Sequence, residues 1–447
     1  MKVVYNGDIV NEGQRFQGYV VTEGEVIDAV CHGIPPAELL VRAQETIDAE
    51  GGLIVPGVID DHVHFRDPGL THKADMASES RAAVAGGVTS FMDMPNTIPN
   101  TTTLETLEAK YAHAAQVSAA NYSFYIGATN DNLATLQAVD YRRVCGVKAF
   151  LGSSTGGMLL SDPNAMRRVF SMPNTLIAIH SEDEDIIRAN RARYVAAHGE
   201  NLSLRYHELI RNREACYACT ERAVHLAQEC GTRLHILHVS TADELALLKH
   251  APLGEKRITA EACVAHLTFN NGDYERLGNR IKCNPAVKSS GDQQALQRAV
   301  QENLIDVIGT DHAPHLLSEK LGGCLQAASG MPLVQFSLVV MLEHARRGIF
   351  KTETVIEKMC HAPALLYGIE RRGYLRRGYQ ADIAVIVPNR SGHTITDGDV
   401  LSKCGWTPLE GFTVHHHVKA TLVNGHTAYL NGRLNDRTHG QRLTFRR

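Results

Sequence analysis

Eight apolar runs of strand length, separated by stretches with helical spacing, fill the middle of this chain and leave few folds open to it. They lie at Ile54–Asp60, Val88–Met94, Asn121–Gly127, Val144–Phe150, Thr175–His180, Leu234–His238, Arg257–Cys263 and Leu304–Thr310. Between them Ala74–Ala85, Leu104–Val117, Ala215–Glu229, Ala242–His250 and Gln293–Glu302 read as helices, the fourth entered through a Thr241 cap. Repeated strand–helix units make a parallel sheet, and eight of them close into a (β/α)8 TIM barrel. Pro332–Arg346 and Thr354–Cys360 then read as closing helices.

The two chain ends have a different texture. MKVVYNGDIV and FQGYVVTEGEVIDAV alternate in short β runs with a turn at Glu23-Gly24, and from Gly373 the β pattern returns, with turn signals at Asn424-Gly425 and Asn431-Gly432. The expected architecture is therefore α/β: residues 53–372 form the barrel, and residues 1–52 and 373–447 together form a small β-sandwich beside it. A length of 447 residues accommodates both.

Composition narrows the function classes. The net charge is −4 with no block of lysine or arginine, which argues against a nucleic-acid binder and for a small-molecule substrate. No apolar run approaches a membrane span and the first residues lack the pattern of a secretory leader, so a cytoplasmic protein without membrane association is expected. The ten cysteines are scattered without a framework, as reduced thiols are. Cys216 and Cys219 form a CxxC, but their surroundings place them on the buried face of a helix. His415 to His417 cannot chelate together, since adjacent strand residues point to opposite faces.

The strand ends carry the chemistry. In an extended chain alternate side chains share a face, so His62 and His64 can address one metal ion while Val63 turns away. Lys148 sits in the fourth strand, His180 and His238 end the fifth and sixth, and Asp311 follows the eighth. Each alone has an ordinary explanation: a hydrogen-bonded core histidine, a buried ion-pair lysine, a helix-capping aspartate. Six such residues on the rim where barrel active sites form point to a metal centre. Arg66, close behind the histidines, offers a bidentate donor for a carboxylate, unless an ion pair with Asp67 occupies it.

The segments HVHFRDPG (62–69), GVKAFLG (146–152) and GTDHAPH (309–315), with His180 and His238, together resemble the amidohydrolase superfamily and, within it, cyclic amidohydrolases of the dihydroorotase type. The terminal GYQADIAVI and ATLVNGHTAYLNG resemble the accessory sandwich of those enzymes. The resemblance implies two zinc ions. His62, His64 and Asp311 would hold the more buried one and His180 and His238 the other, with a carboxylated Lys148 and a hydroxide bridging them. Some members bridge with a loop aspartate instead, for which Asp162 is the candidate. The implied activity is reversible hydrolysis of (S)-dihydroorotate to N-carbamoyl-L-aspartate in pyrimidine (UMP) biosynthesis, with Asp311 as the catalytic proton shuttle. Asn96, Asn284 and His315 would hold the substrate beside Arg66, with backbone contacts around Gly330.

Arg66 favours dihydroorotate, which carries a carboxylate, over the rings of the rival readings, an allantoinase or a hydantoinase/dihydropyrimidinase. A non-catalytic partner subunit is a further alternative, disfavoured because every ligand is present. A homodimer and a complex with aspartate carbamoyltransferase are the candidate assemblies. Two segments depart from the family pattern: Gly152–Ser161, which bears on the bridging ligand, and Glu261–His266, in place of a Pro-His-His run, which bears on residues behind the ligands.

Overall fold

Eight strands, all parallel, form the central barrel in a computed structural model of the chain, which describes residues 1–152, 157–437 and 440–447. They are Val58–Val63, Val88–Asp93, Asn121–Phe124 continued by Ile126–Gly127, Val147–Phe150, Leu176–His180, Arg233–Ile236, Ile258–Cys263 and Val307–Gly309. Neighbours in sequence are neighbours in the sheet. A parallel bridge between Val63 and His312, reinforced by the His64 N–H donating to the His312 carbonyl at 2.7 Å, joins the last strand to the first. Strands buried on both faces need continuous apolar runs, which is why the eight segments stood out from the helices between them.

The outer helices include Met76–Ala85, Leu104–Val117, Arg213–Cys230 and Ser290–Gln301, entered through side-chain caps from Asp75, Thr103, Asn212 and Ser289. Two more, Pro163–Phe170 and Glu184–His198, cover strands four and five. Where Ala242–His250 is expected to be helical, the chain makes only the 3-10 turn Glu244–Leu247. The buried Glu244 carboxylate accepts from the Thr241 hydroxyl at 2.8 Å and from the Thr241 N–H at 3.2 Å, fastening the segment as a single turn before Pro252.

The first barrel strand, expected from Ile54, begins at Val58. Leu53–Pro56 instead pairs with Lys2–Asn11 and Ile383–Thr394 in the sheet built by the chain termini. The break falls at Gly57, where any Cβ would lie 2.1 Å from the Thr89 hydroxyl oxygen. One apolar run thus serves two sheets. The β-sandwich draws strands from both ends of the chain, and its core of Val4, Ile9, Val20, Ile27, Ile54, Ile383, Val385 and Leu422 is separate from that of the barrel. The final residues leave it: Leu443 and Phe445 pack against Ile59, Tyr125 and Tyr367 of the barrel. Among the described residues no helix is long and apolar enough to cross a membrane.

A buried polar clamp joins the two units. Asp382 of the sandwich accepts from Asn121 Nδ2 of the third barrel strand at 3.2 Å and from the Asn424 N–H at 2.8 Å, and it pairs with the Arg372 guanidinium. Arg372 also donates to Asn424 Oδ1 at 2.7 Å. Removing one partner of a buried ion pair leaves the other charged and uncompensated. Asp382→Ala should therefore lower the unfolding free energy by about 3–5 kcal/mol, read by denaturant titration. A loss below about 1 kcal/mol, typical of an exposed pair, would refute the clamp.

Candidate metal centre

The barrel delivers six polar side chains to one end. His62 occupies the last turn of the first strand and His64 follows it. Lys148 lies within the fourth strand, His180 ends the fifth, His238 stands two residues past the sixth, and Asp311 two past the eighth. His238 and Asp311 have φ of 42° and 49°, and Arg66 has φ of 66°. These are left-handed conformations that non-glycine residues adopt at a cost of order 1 kcal/mol or more, and they turn the side chains inward from strand ends that would otherwise run past the opening.

Three donor atoms converge. Asp311 Oδ1 lies 3.2 Å from His62 Nε2 and 3.1 Å from His64 Nε2. Nearby, His180 Nδ1 is 2.9 Å from His238 Nε2, and the His62 and His238 ring centroids are 5.2 Å apart. The outward ring nitrogens are also engaged. His62 Nδ1 is 3.0 Å from Glu261 Oε1, His64 Nδ1 is 2.8 Å from Asn96 Oδ1, and His180 Nε2 is 3.0 Å from Glu182 Oε2. An acceptor behind a ring places the proton there and leaves the lone pair facing inward, as a metal ligand requires.

Imidazole and carboxylate donors in this arrangement suit zinc. Two deeper groupings, His62–Glu261–Cys263 and Asp61–His235–Glu261, suit it less. Burial raises the Cys263 thiol well above its usual range, and the Tyr367 hydroxyl already donates to Asp61 Oδ2 at 3.0 Å.

The electrostatics agree with the geometry. Burial alone would raise Asp311, but His62, His64 and Lys148 hold its carboxyl below the usual range. Burial lowers His64 to about 4. Burial would lower His62 too, yet Glu261 and Asp311 outweigh it and raise the ring. The Lys148 amine, fully buried, is brought down to about 7, chiefly by desolvation.

These side chains line a cavity of about 600 Å³ that also contains Arg66, Asn96, Asn284, His315 and Gly330. Gly330 has φ of 142°, and a Cβ there would meet the Ala313 carbonyl at 2.4 Å, so the backbone closes tightly on the wall. Arg66 is buried. Its Nε donates to the Pro314 carbonyl at 3.0 Å, and among the described residues no carboxylate pairs with it. Asp67, the alternative partner, is 2.9 Å from His113 Nε2. Asp162 is exposed, caps the helix Pro163–Phe170 by accepting from the Ala165 N–H at 2.7 Å, and does not line the cavity. Of the departing loop Gly152–Ser161, residues 153–156 lie outside the described residues.

Sequence reasoning missed Glu182 and Arg211, and placed Glu261 only within a segment bearing on residues behind the ligands. Arg211 pairs with Glu182 and lines the cavity. Signals existed: Glu182 is a carboxylate two residues past His180, beyond the end of the fifth strand, and Glu261 is a carboxylate in an otherwise apolar strand. Cys216 and Cys219 are buried on the helix Arg213–Cys230, and His415 is 3.1 Å from a Glu343 carboxylate oxygen.

A closed parallel barrel with convergent histidines and an aspartate at its rim is a candidate metal-binding site of the kind barrel enzymes build. Residues 53–428 match the model of the amidohydrolase family, and the chain belongs to that family. A dihydroorotase of Halobacterium salinarum is 35% identical over 411 residues, covering 91% of this chain and 92% of the relative. An allantoinase of Bacillus velezensis is 29% identical, with coverage of 88% and 87%. An L-hydantoinase structure from Arthrobacter aurescens superposes with a TM-score of 0.93 at 27% identity, covering 99% of both chains. The protein is a hydrolytic enzyme of the cyclic amidohydrolase class.

Carbon dioxide adds to a neutral amine only, and a lysine with a depressed pKa is neutral above it. Metal-free protein supplied with zinc and bicarbonate should take up metal increasingly as pH rises through about 7, the value to which burial lowers Lys148. Lys148→Ala should take up less metal at every pH, keep only the dependence that protonation of the histidine ligands imposes, and regain part of its metal with added short carboxylic acids. Bound zinc measured across the pH series checks both.

Proposed function

We propose that this chain is a dihydroorotase, hydrolysing (S)-dihydroorotate reversibly to N-carbamoyl-L-aspartate in pyrimidine synthesis. In this reading His62, His64 and Asp311 would hold one zinc ion and His180 and His238 a second, with a carboxylated Lys148 as the shared ligand. Lys148 is favoured over Asp162 as the bridge because it lines the cavity and Asp162 does not. The observation that carries the substrate is Arg66, a buried guanidinium in the cavity wall with no carboxylate of its own among the described residues.

The zinc pair, when bound, supplies Lewis acidity toward the ring amide carbonyl and makes water a nucleophile near neutral pH. Arg66 accepts the ring carboxylate, with Asn96, Asn284 and His315 completing the cradle and fixing which face of the amide meets the metals. Asp311, held ionised by its imidazole neighbours, takes the proton of the attacking water and delivers it to the departing ring nitrogen. Ring closure retraces these steps. Hydantoin hydrolysis, suggested by the L-hydantoinase likeness, would leave Arg66 buried without an anion, at a cost of about 1–3 kcal/mol.

Side-by-side assays of dihydroorotate, allantoin and hydantoin test the assignment. Dihydroorotate should be strongly preferred, and Arg66→Asn should lose about 100-fold in kcat/KM, near the worth of one charged hydrogen-bonded pair, while retaining its zinc. Preference for allantoin or hydantoin, or a fully active Arg66→Asn, would sink it.

Asp311→Asn keeps an oxygen for the metal but has no basic carboxylate. Its turnover should fall about 10²- to 10⁴-fold at every pH, with most zinc and substrate affinity retained. Turnover within a few-fold of wild type in a zinc-loaded variant would remove Asp311 as the shuttle.

A further inference from the structure

Three groups lie within 3.2 Å of the two ring nitrogens of His315, and no single protonation state satisfies them all. Its Nδ1 is 3.2 Å from Lys73 Nζ, and its Nε2 is 3.0 Å from the Ser329 carbonyl oxygen and 3.0 Å from Arg66 Nη2. Ammonium and guanidinium groups only donate, and a carbonyl only accepts. Burial, with the charges of Arg66, Lys73 and Lys320, holds the ring far below its usual pKa, so it is neutral and carries one N–H. A proton on Nε2 satisfies both Lys73 and Ser329 and leaves Arg66 facing another donor. A proton on Nδ1 satisfies Arg66, but points an N–H at the Lys73 ammonium and a lone pair at the Ser329 oxygen.

We propose that Lys73 is a positioning residue for the carboxylate site. By donating to Nδ1 it holds His315 in the Nε2–H tautomer, so that the histidine cannot accept from Arg66 and the Nη2 N–H remains for an anionic oxygen of the ligand. The inference rests on the carboxylate-bearing substrate proposed above. Lys73 lines the cavity and is itself anchored by Glu319 Oε1 at 2.8 Å. The other Glu319 oxygen lies 3.5 Å from His315 Nδ1. Once Lys73 is removed, that carboxylate is the ready acceptor for an Nδ1–H. The ring then switches tautomer, accepts from Arg66 and competes with the substrate.

The tautomer is read directly by nitrogen-15 NMR of zinc-loaded protein labelled at histidine, with His315→Gln assigning the resonance. Wild type should carry the proton on Nε2, Lys73→Met on Nδ1, and Lys73→Arg on Nε2 again. The KM for dihydroorotate should rise about 10- to 100-fold in Lys73→Met, the worth of one charge-assisted hydrogen bond, with kcat and zinc content largely kept. Lys73→Arg should restore the wild-type KM. A wild-type ring protonated on Nδ1 overturns the proposal, as does a Lys73→Met ring that stays protonated on Nε2 or an unchanged KM. If Lys73→Met fails to fold, the wild-type spectrum and Lys73→Arg still decide. Because the spectrum needs no substrate, a tautomer switch without dihydroorotate turnover would overturn the substrate reading and leave the positioning role in place.

Discussion

An imidazole presents a lone pair to a cation only from the ring nitrogen without a proton, and inside a barrel water does not settle which nitrogen that is. The site depends on this choice being made three times. Glu261 behind His62, Asn96 behind His64 and Glu182 behind His180 each accept from the outward nitrogen, so the inward lone pairs converge. Glu261 does more, because its Oε1 also accepts from the His238 N–H at 2.8 Å and so steadies the left-handed turn that brings that histidine inward. Burying carboxylates to achieve this costs several kcal/mol each unless they are compensated, and the structure supplies the compensation locally. Arg211 and His180 draw the Glu182 carboxyl far below its usual range against the opposing effect of burial.

Rigidity follows from the same arrangement. Left-handed backbone at Arg66, His238 and Asp311 is unfavourable in isolation and persists because strand pairing and side-chain bonds on either side determine it. The bridge between Val63 and His312 closes the barrel directly between the first pair of ligands and Asp311. Closure of the fold and assembly of the donor triad are therefore one event, and damage to the eighth strand should appear in the metal site before it appears in the sandwich.

The strands were legible because a parallel barrel demands apolar residues on both faces, whereas helices such as Leu104–Val117 and Ser290–Gln301 bury one side only. The rim residues were legible because six metal-ligand types at strand ends have no ordinary joint explanation. Other features depended on tertiary partners that periodicity does not encode. The run Leu53–Ile59 is uniformly apolar, and only the clash that Thr89 would impose on a side chain at position 57 tells where one sheet stops and the other begins. The segment after Thr241 has helical spacing, yet a buried Glu244 holds it to one turn. Asp162 was the loop aspartate that the resemblance offered as an alternative bridge, but the helix at Pro163 uses it as a cap. Glu261 was visible as a polar residue in an apolar strand. A place behind the ligands was legible as well, but not that it backs His62 in particular, some 200 residues away.

Selectivity is separable from this machinery. Proteins named for different cyclic amides match this chain over most of its length, so the barrel alone does not choose the ring. The choice falls to residues that touch no metal. Arg66 is fixed at Nε by the Pro314 carbonyl, and its Nη2 faces His315 across 3.0 Å. Whether that contact is an internal hydrogen bond or a confrontation of two donors depends on one proton in a neighbouring ring. In the first case the wall is self-satisfied and suits an uncharged ring; in the second it lacks an anion and suits a carboxylate. A site of this kind can change substrate class without any change at the metals, because one lysine beyond the histidine sets the polarity of the wall.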